Sequence, residues 1–107
     1  MTSVRRLNHA VLYVRDARRS AQFYADAFGF VTVAEAGNGA AVFMRAAETE
    51  NHHDLGLFSV GANAPGPEQG RAGLYHLAWK STRSRIWRRC GSDSSRWARW
   101  SARATTA

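Results

Sequence analysis

The stretch RLNHAVLYVRD, Arg6 to Asp16, alternates Leu7, His9, Val11 and Tyr13 with Asn8, Ala10, Leu12 and Val14. Side chains that alternate in this way belong to an extended chain, because successive Cβ atoms of a strand point to opposite faces. Both sets are largely apolar, which predicts a central strand covered on both sides. The pattern returns in GLYHLAW, Gly73 to Trp79, with Leu74, His76 and Ala78 on one face and Tyr75, Leu77 and Trp79 on the other. A strand that recurs with its histidine at the matching place signals a duplicated unit, and no other feature restricts the fold as much.

The residues between the two copies spell out the rest of the unit. Asp16 is placed to cap a helix in which Ala17, Ala21, Tyr24 and Phe28 recur at helical spacing, with Phe23 and Ala27 beside them. Gly29 supplies its stop. Arg18 and Arg19 fall in the first turn, where the helix dipole disfavours cations, so a solvated surface is expected there. Phe30 to Ala36 alternates as a second strand, and Gly37-Asn38-Gly39 has the chemistry of a tight hairpin, since all three tolerate positive φ. A third strand is expected over Ala40–Arg45 and a fourth over His53–Val60. Gly61 to Ala72 holds both prolines and reads as an exposed linker. The predicted fold class is α+β: one βαβββ unit plus the first strand of a second, an incomplete half-barrel.

Charge divides the chain in two. The formal charge of +7 and a pI near 11.0 would ordinarily suggest nucleic acid or an anionic membrane. Residues 1–79, however, balance seven basic against seven acidic side chains, and the whole excess lies in Lys80 to Ala107 with Asp93 as its sole acid. Three of the four tryptophans (Trp87, Trp97, Trp100) and the only cysteine, Cys90, are there too. A single cysteine excludes an intrachain disulfide, and the absence of a signal-peptide pattern or a long apolar run makes a cytoplasmic location the expectation.

The division into residues 1–79 and 80–107 has a physical reading. From Lys80 onward neither strand alternation nor a helical stripe persists, and composition favours a poorly ordered basic tail. Arg, Trp, Ser, Ala and Thr are also what a GC-rich gene yields out of register. With one G restored before the codons for Lys80 and its followers, degenerate codons can spell EVDSLEDLAAVRERLVAMGALVGASDHG. That text has a strand end, a serine cap, an amphipathic helix and a turn. Consistency across levels of this kind is what selected sequences have, so a single-base deletion, or a sequencing error, near codon 80 is the expectation. A nucleic-acid role for the Arg and Trp tail, by stacking among cations, is the reading this disfavours.

His9, His53 and His76 are the residues that carry chemistry. His9 and His76 hold matching places in the two half-repeats, so pairing the halves would turn both imidazoles toward a shared interior. Two imidazoles and a carboxylate on one face of a metal suit non-haem iron(II). LNHAVLYVRD, the helix SAQFYADAFGF, HDLGLF, the linker and YHLAW together resemble the vicinal oxygen chelate superfamily of glyoxalases, bleomycin-resistance proteins and extradiol dioxygenases. The extradiol, catechol 2,3-dioxygenase-like members are the nearest likeness, because a non-ligand histidine opens a strand between their two ligand histidines.

The resemblance implies paired βαβββ units around a divalent metal, iron(II) foremost, with manganese(II) or zinc(II) as alternatives. It implies metal-ligand roles for His9 and His76 and an acid/base role for His53, with His52 as the neighbouring candidate. It implies a small aromatic or vicinal-dioxygen substrate and a homodimer, and neither a membrane nor a nucleic-acid partner. The family's third ligand is a Glu on the last strand of the second unit, for which Glu35, Glu48, Glu50 and Glu68 are not in matching positions. Asp54 is expected to point away from His53. Weak metal binding without turnover is therefore expected of the chain, and a small-molecule binding protein or a glyoxalase-type isomerase or lyase are the alternatives.

Overall fold

A computed structural model of the chain describes residues 2–80. Its elements are β1 (Ala10–Val14), α1 (Ala17–Phe28), β2 (Val31–Ala36), β3 (Ala41–Arg45) and β4 (Leu55–Ser59), in that order. The four strands form one sheet in the order β1-β4-β3-β2. β1 runs parallel to β4, and the other two pairings are antiparallel. This is the predicted βαβββ unit of an α+β fold, with α1 as the crossover that a parallel pair requires. The expected tail, Lys80 to Ala107, lies outside the described residues from position 81 onward. Among the described residues no helix is long and apolar enough to cross a membrane.

Local chemistry sets the element ends. Asp16 has extended backbone and accepts the Arg19 N–H at 3.2 Å, and Gly29 ends the helix in the left-handed region at φ 74°. The hairpin residues Gly37, Asn38 and Gly39 all take positive φ, as their side chains permit. Arg18 is not simply solvated: it makes a two-pronged ion pair with Glu35 on β2, at 3.2 Å for each contact. That pair ties the helix start to the outer strand across a partly exposed surface.

Among the described residues, one face of the sheet is closed and the other open. Leu12, Leu57 and Val42 lie in register on the closed side, next to the row of Leu55 and Met44. Val14, Ala17, Ala21, Tyr24 and Phe30 complete the core against them. The Ser59 hydroxyl, at the end of β4, accepts the Ala17 N–H at 2.8 Å and so seats the helix on the sheet. Burial pushes the Tyr24 phenol up to about 12. The opposite side carries Val11 and Tyr13, the latter 78% exposed. β1 is thus an edge strand covered on one face only, whereas its two apolar faces predict a central, doubly covered one. The reason is that the single helix of the described residues can shield only one side of the sheet.

The second copy of the alternating motif also differs from expectation. Gly73–Trp79 belongs to no strand of the sheet among the described residues. A strand exists only through a hydrogen-bonded neighbour, and here the segment is held by Trp79, whose ring meets Phe30 edge-to-face at 5.2 Å. Trp79 thereby joins the Phe23, Tyr24, Phe28 and Phe30 cluster at the C-terminal end of α1.

Two opposed substitutions test this core. Leu57→Ala, at a site with no exposure, is expected to cost about 2–5 kcal/mol in urea unfolding. Ser20 is fully buried and its hydroxyl has no hydrogen-bond partner among the described residues. Ser20→Ala is expected to raise stability by about 1 kcal/mol, by removing an unsatisfied group from a helix.

Candidate functional site

The open face gathers the chemistry-bearing side chains. β1 begins one residue after His9, and β4 begins two residues after His53 rather than at it. β1 and β4 are adjacent and parallel, with Ala10 opposite Leu55. Their leading ends therefore lie side by side, and the His9 and His53 rings meet with centroids 4.6 Å apart and planes tilted by 56°. Phe43 closes the other side of His53 at 5.2 Å, and Phe58 stands against Phe43 at 5.8 Å. Gly56 lies between Val11 and Phe43, and a Cβ there would stand 3.4 Å from the Val11 methyl. The face is a shallow aromatic floor with two imidazoles at one end.

His52 and His53 share a hydrogen bond between their Nδ1 atoms at 3.1 Å. Partial burial lowers the His53 pKa, the nearby His9 and His52 lower it further, and Asp54 opposes them. His53 is accordingly held toward its neutral form, which is the state that can accept a proton.

Behind the histidines is a polar network that the sequence patterns did not reveal. The Asp54 carboxylate accepts from the Ala46 N–H at 2.8 Å, the Thr49 hydroxyl at 2.7 Å and the Asn51 amide at 2.8 Å. Its backbone bonds both neighbours, donating to Met44 and accepting from Ala10. Asn51 donates its amide to the Asn8 carbonyl at 2.9 Å, and its oxygen accepts from Arg6 at 2.9 Å and from Asn8 at 3.2 Å. Asp54 and Asn51 are both buried. Burial raises the Asp54 pKa, but the hydrogen bonds from Thr49, Ala46 and Asn51 and the charge of Arg6 together hold it below the ordinary carboxylate value. Both Asp54 oxygens are committed to hydrogen bonds within the loop.

His76 is exposed in the segment that follows the linker. Among the described residues no three His, Cys, Asp or Glu side chains come together as a metal-holding group. The pair that the fold itself assembles is His9 with His53. The only sequence signal for Asn51 and Asp54 was their position, an amide and a carboxylate closing a polar loop just before an apolar strand.

A family model described as Glyoxalase/Bleomycin resistance protein/Dioxygenase superfamily matches residues 6–83. No curated protein and no solved structure matches the chain.

Acid is expected to dismantle the site in two stages. His53 has a folded pKa below its unfolded value of 6.5, so its contribution is complete above that value and is lost as pH falls through the lowered one. Asp54, lowered from 3.8, contributes in full above that value and is lost at still lower pH. Denaturant midpoints followed from pH 8 to pH 3 should fall in both windows, and His53→Gln should remove the upper one only. Asp54→Ala, which strands several buried donors, should cost about 2–4 kcal/mol at neutral pH.

Proposed function

Because the chain belongs to the Glyoxalase/Bleomycin resistance protein/Dioxygenase superfamily, we propose that its open face is the floor of a metal-dependent site of the extradiol ring-cleaving kind. The substrate is a small aromatic compound with two adjacent oxygen atoms. The observation that carries this reading is the 4.6 Å approach of the His53 ring to His9. His9 and His76 would hold the metal, iron(II) ahead of manganese(II) or zinc(II), since imidazole suits these ions. The ion's contribution when bound is Lewis acidity, which lowers the pKa of a coordinated hydroxyl.

The chain's own residues do the rest. His53 has Nδ1 engaged by His52, so Nε2 is the atom left to take the hydroxyl proton and return it later. Phe43, Phe58 and Val11 offer an apolar floor for a ring and keep water from it. A second copy of the chain would cover that floor and complete the pairing of units. A frame break near codon 80 is part of the reading, supported by a family match that runs out at residue 83, close to where the composition changes. As it stands the chain would bind metal weakly and turn nothing over.

A binding module that sequesters an aromatic compound is the second reading, favoured by the same apolar floor of Val11, Tyr13, Phe43 and Phe58. The two part company on turnover. In a gene resequenced across codon 80 and expressed in frame, iron(II), a catechol and dioxygen as the oxidant should give ring cleavage, and His53→Gln should lower kcat about 10²–10⁴-fold with metal binding retained. Tight catechol binding without turnover selects the sequestering module. In the chain itself, His9→Ala should abolish zinc(II) binding in titration calorimetry, and unchanged binding would remove the metal site from the proposal. A monodisperse monomer by light scattering would count against the second copy.

A further inference from the structure

The hydrogen bonds behind the open face have a direction, and it ends on His9. Arg6 can only donate, and an ionised Asp54 can only accept. Arg6 faces Asn51 Oδ1 and Asp54 faces Asn51 Nδ2, so the orientation of the Asn51 amide is fixed from both sides. Its four hydrogen-bonding positions are filled, by Arg6 and Asn8 at the oxygen and by Asp54 and the Asn8 carbonyl at the nitrogen. Asn51 Oδ1 can only accept, which requires Nδ2 of Asn8 to face it, at 3.2 Å. Asn8 must then present Oδ1 to its other partner, Nδ1 of His9, at 2.8 Å. An amide oxygen accepts, so Nδ1 of His9 is the donor.

We infer that Asn8, oriented by Asn51, Arg6 and Asp54, is a positioning residue that sets the neutral His9 ring in its Nδ1–H form and leaves the lone pair on Nε2. A ligating imidazole commonly donates its other N–H to an oxygen in this way, which fixes tautomer and ring orientation. The inference about the proton stands on the hydrogen bonds alone. Its consequence for metal affinity rests on the proposed ligand role of His9.

The two parts are separable by experiment. In the full chain, metal-free and at a pH where imidazoles are neutral, long-range proton–nitrogen correlation spectra of His9 should show the proton on Nδ1. Asn8→Ala, an exposed change ahead of β1, should transfer most of that population to the Nε2–H form, and Asn8→Asp, which keeps the acceptor toward His9 but loses the donor to Asn51 Oδ1, should restore it in part. Zinc(II) affinity should fall about 10–100-fold in Asn8→Ala and recover in part in Asn8→Asp. A wild-type His9 protonated at Nε2, or an Asn8→Ala spectrum unchanged from wild type, overturns the relay. A tautomer that moves while zinc(II) affinity does not leaves the relay standing and removes His9 from the metal site.

Discussion

The arrangement of this protein depends on one buried carboxylate. Asp54 lies between two strands that are far apart in sequence, bonding Met44 and Ala10 through its backbone and Ala46, Thr49 and Asn51 through its side chain. A buried charge is tolerable only when hydrogen-bonded on all sides, and meeting that demand folds residues 46–54 into a defined loop. The loop delivers His53 to the head of β4 and, through Asn51, holds the approach to β1 beside it. The imidazole pair is therefore a consequence of satisfying Asp54.

That polar knot balances a core with one finished side. The apolar side chains of Leu55, Leu57, Val42 and Met44 are closed by a single helix, while Val11, Tyr13 and Val31 remain exposed across the sheet. Exposed apolar surface rimmed by polar groups marks a place where something binds. Here the polar groups at its margin are the histidines, so the surface that lacks a cover is also the surface that carries the chemistry.

Much of this was legible in the residues. The Asp16 cap, the Gly29 stop and the Gly37-Asn38-Gly39 turn are local devices, each decided within a few neighbouring peptide units, and the structure has all of them. The order of elements followed from the same patterns, and the superfamily from a resemblance in those residues. The Arg18–Glu35 pair and the Asn8–Asn51 contacts were not legible, because they join residues brought near only by the parallel pairing of β1 with β4 and the hairpin of β2 with β3. Period-two alternation says that a segment is extended; it does not say whether a neighbour exists. This is why Arg6–Asp16 gave a shorter edge strand, and Gly73–Trp79 a segment outside the sheet, held by Trp79 against Phe30.

The sequence by itself determined the βαβββ order, the turns, and which residues are chemically able to act, since caps, positive-φ positions and imidazoles are properties of residues and their immediate neighbours. Only the tertiary structure decided that His9 meets His53, that Asp54 ties the loop to both neighbouring strands, and that one face of the sheet stays open among the described residues. Those outcomes depend on which groups find partners across about 45 residues of chain, and partnership at that range is fixed by packing, which no local pattern encodes.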